Sequence, residues 1–146
     1  GWSKLADADA DGMTIGFLNL PNFNSSIVNE LGIYTVDDFK AICNHVTETS
    51  IVVVRADEDR FTTLGELGYY DQWLGSSRCI VAPAGTPENV IKFYEDAFQK
   101  LMEDADYLKA AEAAGMETDY KNSADTAALI KQQQDFTESL ADVWGD

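Results

Sequence analysis

Basic side chains are scarce in this chain of 146 residues: ten Lys and Arg stand against 26 Asp and Glu, for a net charge of −16. A phosphate-backbone partner needs clustered Lys and Arg, so nucleic acid is excluded as a target. An anionic membrane surface is disfavoured on the same ground. A small anionic ligand is not, because helix N-termini and backbone N–H groups bind anions within an acidic protein. Histidine is scarcer still. His45 is the lone one, and no Ser-His-Asp or His-Cys constellation accompanies it. The chain therefore lacks a nucleophile–base pair and does not read as an enzyme. Cys43 and Cys79 are the only cysteines. Their spacing suggests neither zinc nor a redox motif, and one disulfide or two reduced core thiols fit equally. No apolar run is long enough to span a bilayer, and no basic n-region with an apolar h-region opens the numbering. Nothing in the chain implies a cofactor.

What is present is a core. Apolar residues make up 45% of the chain, enough for one ordinary domain. Residues 1–10 are small and acidic and read as the end of a helix. Residues 13–18 (MTIGFL) are short, apolar and β-prone, which predicts a buried strand. Residues 19–26 (NLPNFNSS) have loop chemistry. Thr35 is a good N-cap, and Val36, Phe39, Cys43 and Val46 follow at helical spacing. That helix would place His45 near its C-terminal end, where a cation is favourable, so a structural role outweighs a catalytic one. Residues 50–54 (SIVVV) predict a strand buried on both faces, and residues 79–82 (CIVA) another. In PAGTPE, Thr86 is the expected N-cap and Pro87 the first helical residue. A second helix closes on Gly115, METDY forms a short edge strand, and a last helix starts at Ser123. Its inward residues are expected to be Ala127, Ile130, Phe136, Leu140 and Val143 or Trp144. Strands and helices alternate, and the strands are apolar runs rather than period-two stripes. The reading is α/β, with a mostly parallel sheet and flanking helices.

One motif needs weighing. Residues 6–12 (ADADADG) open like a calcium loop, with Asp7, Asp9 and Asp11 alternating before Gly12. The loop's twelfth position falls on Leu18, where a bidentate Glu belongs, and its ninth on Ile15. Such an ion would be underliganded. The plainer reading is a turn at Asp11-Gly12 that feeds the strand. A small calcium-binding interaction module using Asp7, Asp9 and Asp11 stands as the alternative function.

The helix end, the DG turn and the strand resemble the "A-x-A-x-P-D-G-Y-T-L" segment of the tripartite tricarboxylate transporter substrate-binding proteins (TctC or Bug type). Ala10 stands where the family usually has Pro, and Met13 where it has Tyr. Further matches follow in the family's order. SIVVVRADEDRFTTLGEL is similar to its strand and "ktl-x-EL". RCIVAPAGTPENVI is similar to "G-hydrophobic-x-A-P-x-G-T-P-x-x-V", and LKAAEAAGMETDY to "aLG-x-E". The resemblance spans nearly the whole chain, which has about half the family's usual length. It implies that the family's first β-α-β-α stretch and its central lobe are missing, with the join between residues 61 and 70. Residues 1–146 would then be a single α/β lobe, part of a two-lobed type II periplasmic binding protein.

The resemblance further implies a periplasmic protein that captures a small carboxylate in an interlobe cleft and presents it to membrane permease subunits. In open α/β sheets the ligand lies beyond the carboxyl ends of strands. The donors of NLPNFN follow such a strand, so the expected ligand-binding residues are Asn19, Leu20, Pro21, Asn22 and Asn24, with Ser25 and Ser26. Trp73 in the returning segment is a further candidate for the cleft. The plain alternatives are an Asn-rich turn and a buried aromatic. One lobe is half a clamp, so binding by this chain alone should be weak. Exposed sheet edges predict self-association.

Overall fold

The computed structural model describes residues 1–49, 51, 53–60, 63, 66 and 75–141. The elements run α1 (Trp2–Ala6), β1 (Gly16–Asn19), α2 (Leu20–Val28), a 3-10 turn (Val36–Asp38), β2 (Phe39–Glu48), β3 (Ser76–Pro83), α3 (Glu88–Glu103), α4 (Ala105–Ala113), β4 (Thr118–Lys121) and α5 (Ser123–Ser139). The four strands form one sheet in the order β1-β3-β2-β4.

Every pairing in that sheet is antiparallel, which overturns the expected parallel sheet. The expectation rested on continuous apolar strands, which need cover on both faces. Here both faces are covered, by α2 and α5 on one side and α3 on the other. An antiparallel sheet between two helical layers demands the same apolar runs, so they do not fix strand direction.

A second reversal explains how the directions changed. The capping box at Thr35 exists, with Thr35 N–H donating to Asp38 Oδ2 at 2.7 Å, but it serves only the 3-10 turn. The chain then enters β2 rather than a helix. Ala41 to Asn44 are buried without alternation, because the strand is sandwiched and its register shifts twice, between Ala41 and Cys43 and between Asn44 and Val46. Bulges re-aim side chains, and the resulting spacing imitates a helical stripe. The predicted strand at 50–54 is absent where it is described: Ile51, Val53 and Val54 lie outside any strand and are exposed.

The bend at Asp11-Gly12 forms as expected. Gly12 has φ +84°, Asp11 Oδ1 accepts from Met13 N–H at 2.8 Å, and the Tyr94 hydroxyl donates to the Gly12 carbonyl at 2.7 Å. That last bond ties the bend to α3. Thr86 and Pro87 sit one position off: Pro87 is the N-cap and Glu88 the first helical residue. The helix after it is capped by Asp104, which accepts from Tyr107 N–H, and its end passes into Gly115 at φ +69°.

The main core lies under α2 and α5 and joins Leu5, Leu18, Leu20, Phe23, Tyr34, Ala41, Cys79, Val81 and Ile130. Phe23 is its centre, stacked on Tyr34 at 5.5 Å and met edge-on by Trp2 at 5.5 Å and Phe39 at 5.4 Å. Trp2 also donates its indole N–H to the Phe17 carbonyl at 2.9 Å, which pins α1 to the β1 strand. A smaller core under α3 holds Ile42, Cys43, Ala82 and Ile91.

Candidate functional site

At one end of the sheet, β1 and β2 finish and β3 begins. Asn19 lies opposite Arg78, and Thr47 opposite Ser77. The segment NLPNFNSS starts there, but as helix α2 rather than as a loop. Pro21 causes the difference: it sits in the first turn, where its fixed φ favours a helix and its missing N–H is not needed. Asn19 is the N-cap residue, extended and half-buried, with no side-chain cap bond.

The expected ligand residues therefore share the N-cap and about the first two turns of α2, in different roles. Leu20 is fully buried in the main core. Asn22 is exposed, and Pro21, Ser25 and Ser26 are half-buried. The Ser25 carbonyl and hydroxyl accept from Asn29 Nδ2, and Ser26 Oγ bonds the Phe23 carbonyl and the Tyr34 hydroxyl. Trp73 lies outside the described residues. The first turn carries no acidic side chain, so no carboxylate of its own offsets the positive end of the helix dipole. Arg78 spends its charge on Glu48 at 2.6 Å.

Asn24 is the anomaly. It is 0% exposed, yet neither its Nδ2 nor its Oδ1 has a hydrogen-bond partner. Leaving such a group dry costs about 1–3 kcal/mol. The facing helix repeats the pattern. The inward stripe of α5 is Thr126, Ile130, Gln133, Gln134 and Thr137, so of the expected apolar set Ile130 is buried and the rest of the stripe is polar. Ala127 is exposed and Phe136 half-buried, while 143 and 144 lie outside the described residues. Gln133 Nε2 donates to the Gly75 carbonyl at 3.5 Å and Gln134 Nε2 to Glu138 at 2.8 Å, but both Oε1 atoms are unpaired. These glutamines were missed because a stripe is read from apolar residues, and here the period is carried by amides and threonines.

The sheet below is polar but satisfied. Asn44 Nδ2 donates to Thr47 Oγ1 at 3.0 Å and to the Asp119 carbonyl at 2.7 Å. Thr47 meets Ser77 at 3.4 Å, and the Cys79 thiol donates to Asn44 Oδ1. Burial pushes the Cys79 thiol up to about 12, with Cys43 beside it adding to the shift, and burial does the same to Cys43 with help from Glu95. Both are free thiols. Burial works against the Asp119 charge, but hydrogen bonds from Lys121 and Thr47 hold its carboxyl below the usual range. His45, at the second bulge of β2, is bonded to the Tyr107 hydroxyl, and burial lowers its pKa.

Among the described residues, no group of three His, Cys, Asp or Glu stands close enough to hold a metal. Asp7, Asp9 and Asp11 are exposed, and Asp11 caps the turn instead. The described residues also contain no helix long and apolar enough to cross a membrane.

The family model described as "Tripartite tricarboxylate transporter family receptor" (TctC) matches residues 59–143, more than half of the chain. The chain belongs to the TctC family. Its members are periplasmic solute-binding proteins that serve tripartite transporters, a binding family rather than an enzymatic one. The fold agrees. A ligand-free crystal structure of a TctC solute binding protein from Polaromonas superposes with a TM-score of 0.82, covering 97% of this chain and 82% of that one at 12% sequence identity. No curated protein matches the chain.

Proposed function

We propose that this TctC protein captures a small carboxylate at the start of α2 and delivers it to the membrane permease subunits of a tripartite tricarboxylate-type transporter. Membership of the receptor family is the observation that carries this reading. Its location rests on the first turn of α2, which carries no acidic side chain and where Asn19 and Asn22 offer side-chain amides near the positive end of the helix. Such donors hold carboxylates directly or through water without needing an Arg. Delivery follows from closure: a ligand that touches both walls of a cleft favours the closed form, which the permease reads. With contacts from one lobe only, the dissociation constant is expected near 1 mM, or about −4 kcal/mol.

Thermal melting against a panel of di- and tricarboxylates tests the reading. At about 10 mM ligand, ten times that constant, the stabilisation is about 1.4 kcal/mol. In a chain of this size that raises the melting temperature by roughly 3–6 °C. Asn19→Ala and Asn22→Ala should remove the rise. A panel with no response refutes carboxylate capture, and a response to calcium alone would favour the aspartate module.

A further inference from the structure

We infer that the C-terminal half of α5, residues 131–139, is a releasable strap that lifts from the sheet and from α2 while the rest of the fold stays intact. The two halves of the helix are held in different ways. The first half is anchored. Asn122 Oδ1 accepts from Asp125 N–H at 2.8 Å, and Glu95 Oε1 on α3 accepts from Ser123 N–H at 2.9 Å and from the Ser123 hydroxyl at 3.2 Å. Thr126 donates its hydroxyl to the Lys121 carbonyl at 3.1 Å, and Ile130 joins the main core. Past Ile130 the buried positions of the helix are Gln133, Gln134 and Thr137, and none is apolar.

The hydrogen bonds of that second half do little to hold it down. Thr137 Oγ1 donates to the Gln133 carbonyl at 2.7 Å and Gln134 Nε2 to Glu138 at 2.8 Å, both within α5. Among the described residues, one side-chain hydrogen bond ties this half to the rest of the chain, from Gln133 Nε2 to the Gly75 carbonyl at 3.5 Å, the long end of the range. Gln133 Oε1 and Gln134 Oε1 are buried without a partner, as are Nδ2 and Oδ1 of Asn24 on α2, the helix packed against α5. Docking leaves these groups dry and release returns them to water, so each one lowers the free energy of opening. A helical piece of fewer than about 12 residues is marginal alone in water, so the lifted segment also unwinds and its amides become exchangeable. The strap lies against α2, whose start carries the candidate site, and the inference stands without the carboxylate reading.

Hydrogen exchange read by mass spectrometry, in urea steps below the unfolding transition, tests this. The amides of 131–139 should exchange at least about tenfold faster than those of β2 and β3, at a rate that rises with urea but less steeply than theirs. The intermediate slope separates the strap from its rivals. Fraying of a helix end exposes little surface and does not respond to urea, whereas global unfolding gives every segment one slope. Gln134→Leu removes a dry oxygen from the docked state, so it should slow exchange in 131–139 by at least about fivefold. Gln134→Met, closer in shape, provides the same comparison if Gln134→Leu does not fold. Exchange of 131–139 that is flat in urea, or that coincides with β2 and β3, overturns the inference. Unchanged or faster exchange in the folded variant also overturns it, the outcome expected where buried water serves the Gln134 oxygen.

Discussion

The bend at Gly12 sets where β1 begins and hence where α2 starts, which makes Gly12→Ala the most informative single change to the fold. Two penalties apply. The residue has φ +84°, a left-handed conformation that costs a side-chain-bearing residue about 1–2 kcal/mol. A Cβ at that position would also stand 2.6 Å from Val90 Cγ1. Carbon atoms rest at about 3.5–4.0 Å, so Val90 must retreat by nearly 1 Å, and overpacking of this kind costs about 1–3 kcal/mol. The sum is about 2–5 kcal/mol, a fall in melting temperature of roughly 5–15 °C. Urea unfolding of Gly12→Ala, Val90→Ala and the double variant separates the two penalties. Val90→Ala should relieve the contact and leave the backbone strain, giving a favourable coupling of at least about 1 kcal/mol. Loss of less than about 0.5 kcal/mol in Gly12→Ala, or additive effects in the double variant, would refute the bend as described.

Two further outcomes follow from buried titratable groups. The thiols of Cys43 and Cys79 are pushed up to about 12 by burial, so an alkylating reagent at about pH 8 should modify neither until denaturant is added, as mass spectrometry will show. The His45 pKa is lowered by burial, so the unfolded chain binds its proton more readily than the folded one. The stabilisation from a neutral His45 is therefore complete above about pH 6.5 and is lost as pH falls from there through the lowered folded value. Melting curves of His45→Phe should lack that part of the acid loss, and parallel pH profiles for the two proteins would contradict the assignment.

The elements legible in the sequence were those whose signals are local. The Asp11-Gly12 turn, the helices after PAGTP and after Asn122, the close at Gly115 and the short strand at 118–121 all depend on caps and turn residues that act within a few positions. Strand direction was not legible, because a sheet covered on both faces erases the alternation that would mark it. The segment at 39–48 was misread because bulges broke its period. In the candidate site, the position of the asparagines after β1 was legible, whereas their helical setting was hidden by the loop-like composition of NLPNFNSS. The buried amides of α5 were invisible to any search for an apolar face.

Correcting the sheet changes the argument for the site without removing it. In a parallel sheet every carboxyl end points one way, so the rule that ligands bind beyond those ends selects a whole rim. In this antiparallel sheet the carboxyl ends divide between two rims, and those of β1 and β2 fall together where Asn19 meets Arg78 and Thr47 meets Ser77. The same rim receives the start of α2, and Gln133 on α5 reaches the Gly75 carbonyl just before β3. The amides of Asn24, Gln133 and Gln134 on α2 and α5 hold four unpaired atoms, and each is left dry at about 1–3 kcal/mol. A chain selected for stability alone would fill such positions with leucine, as it does at Leu18 and Leu20 one strand and one turn away. Thr86 Oγ1, past the far end of β3, is buried and unpaired as well, so unpaired polar groups stand at both ends of the sheet and do not by themselves mark the ligand's end.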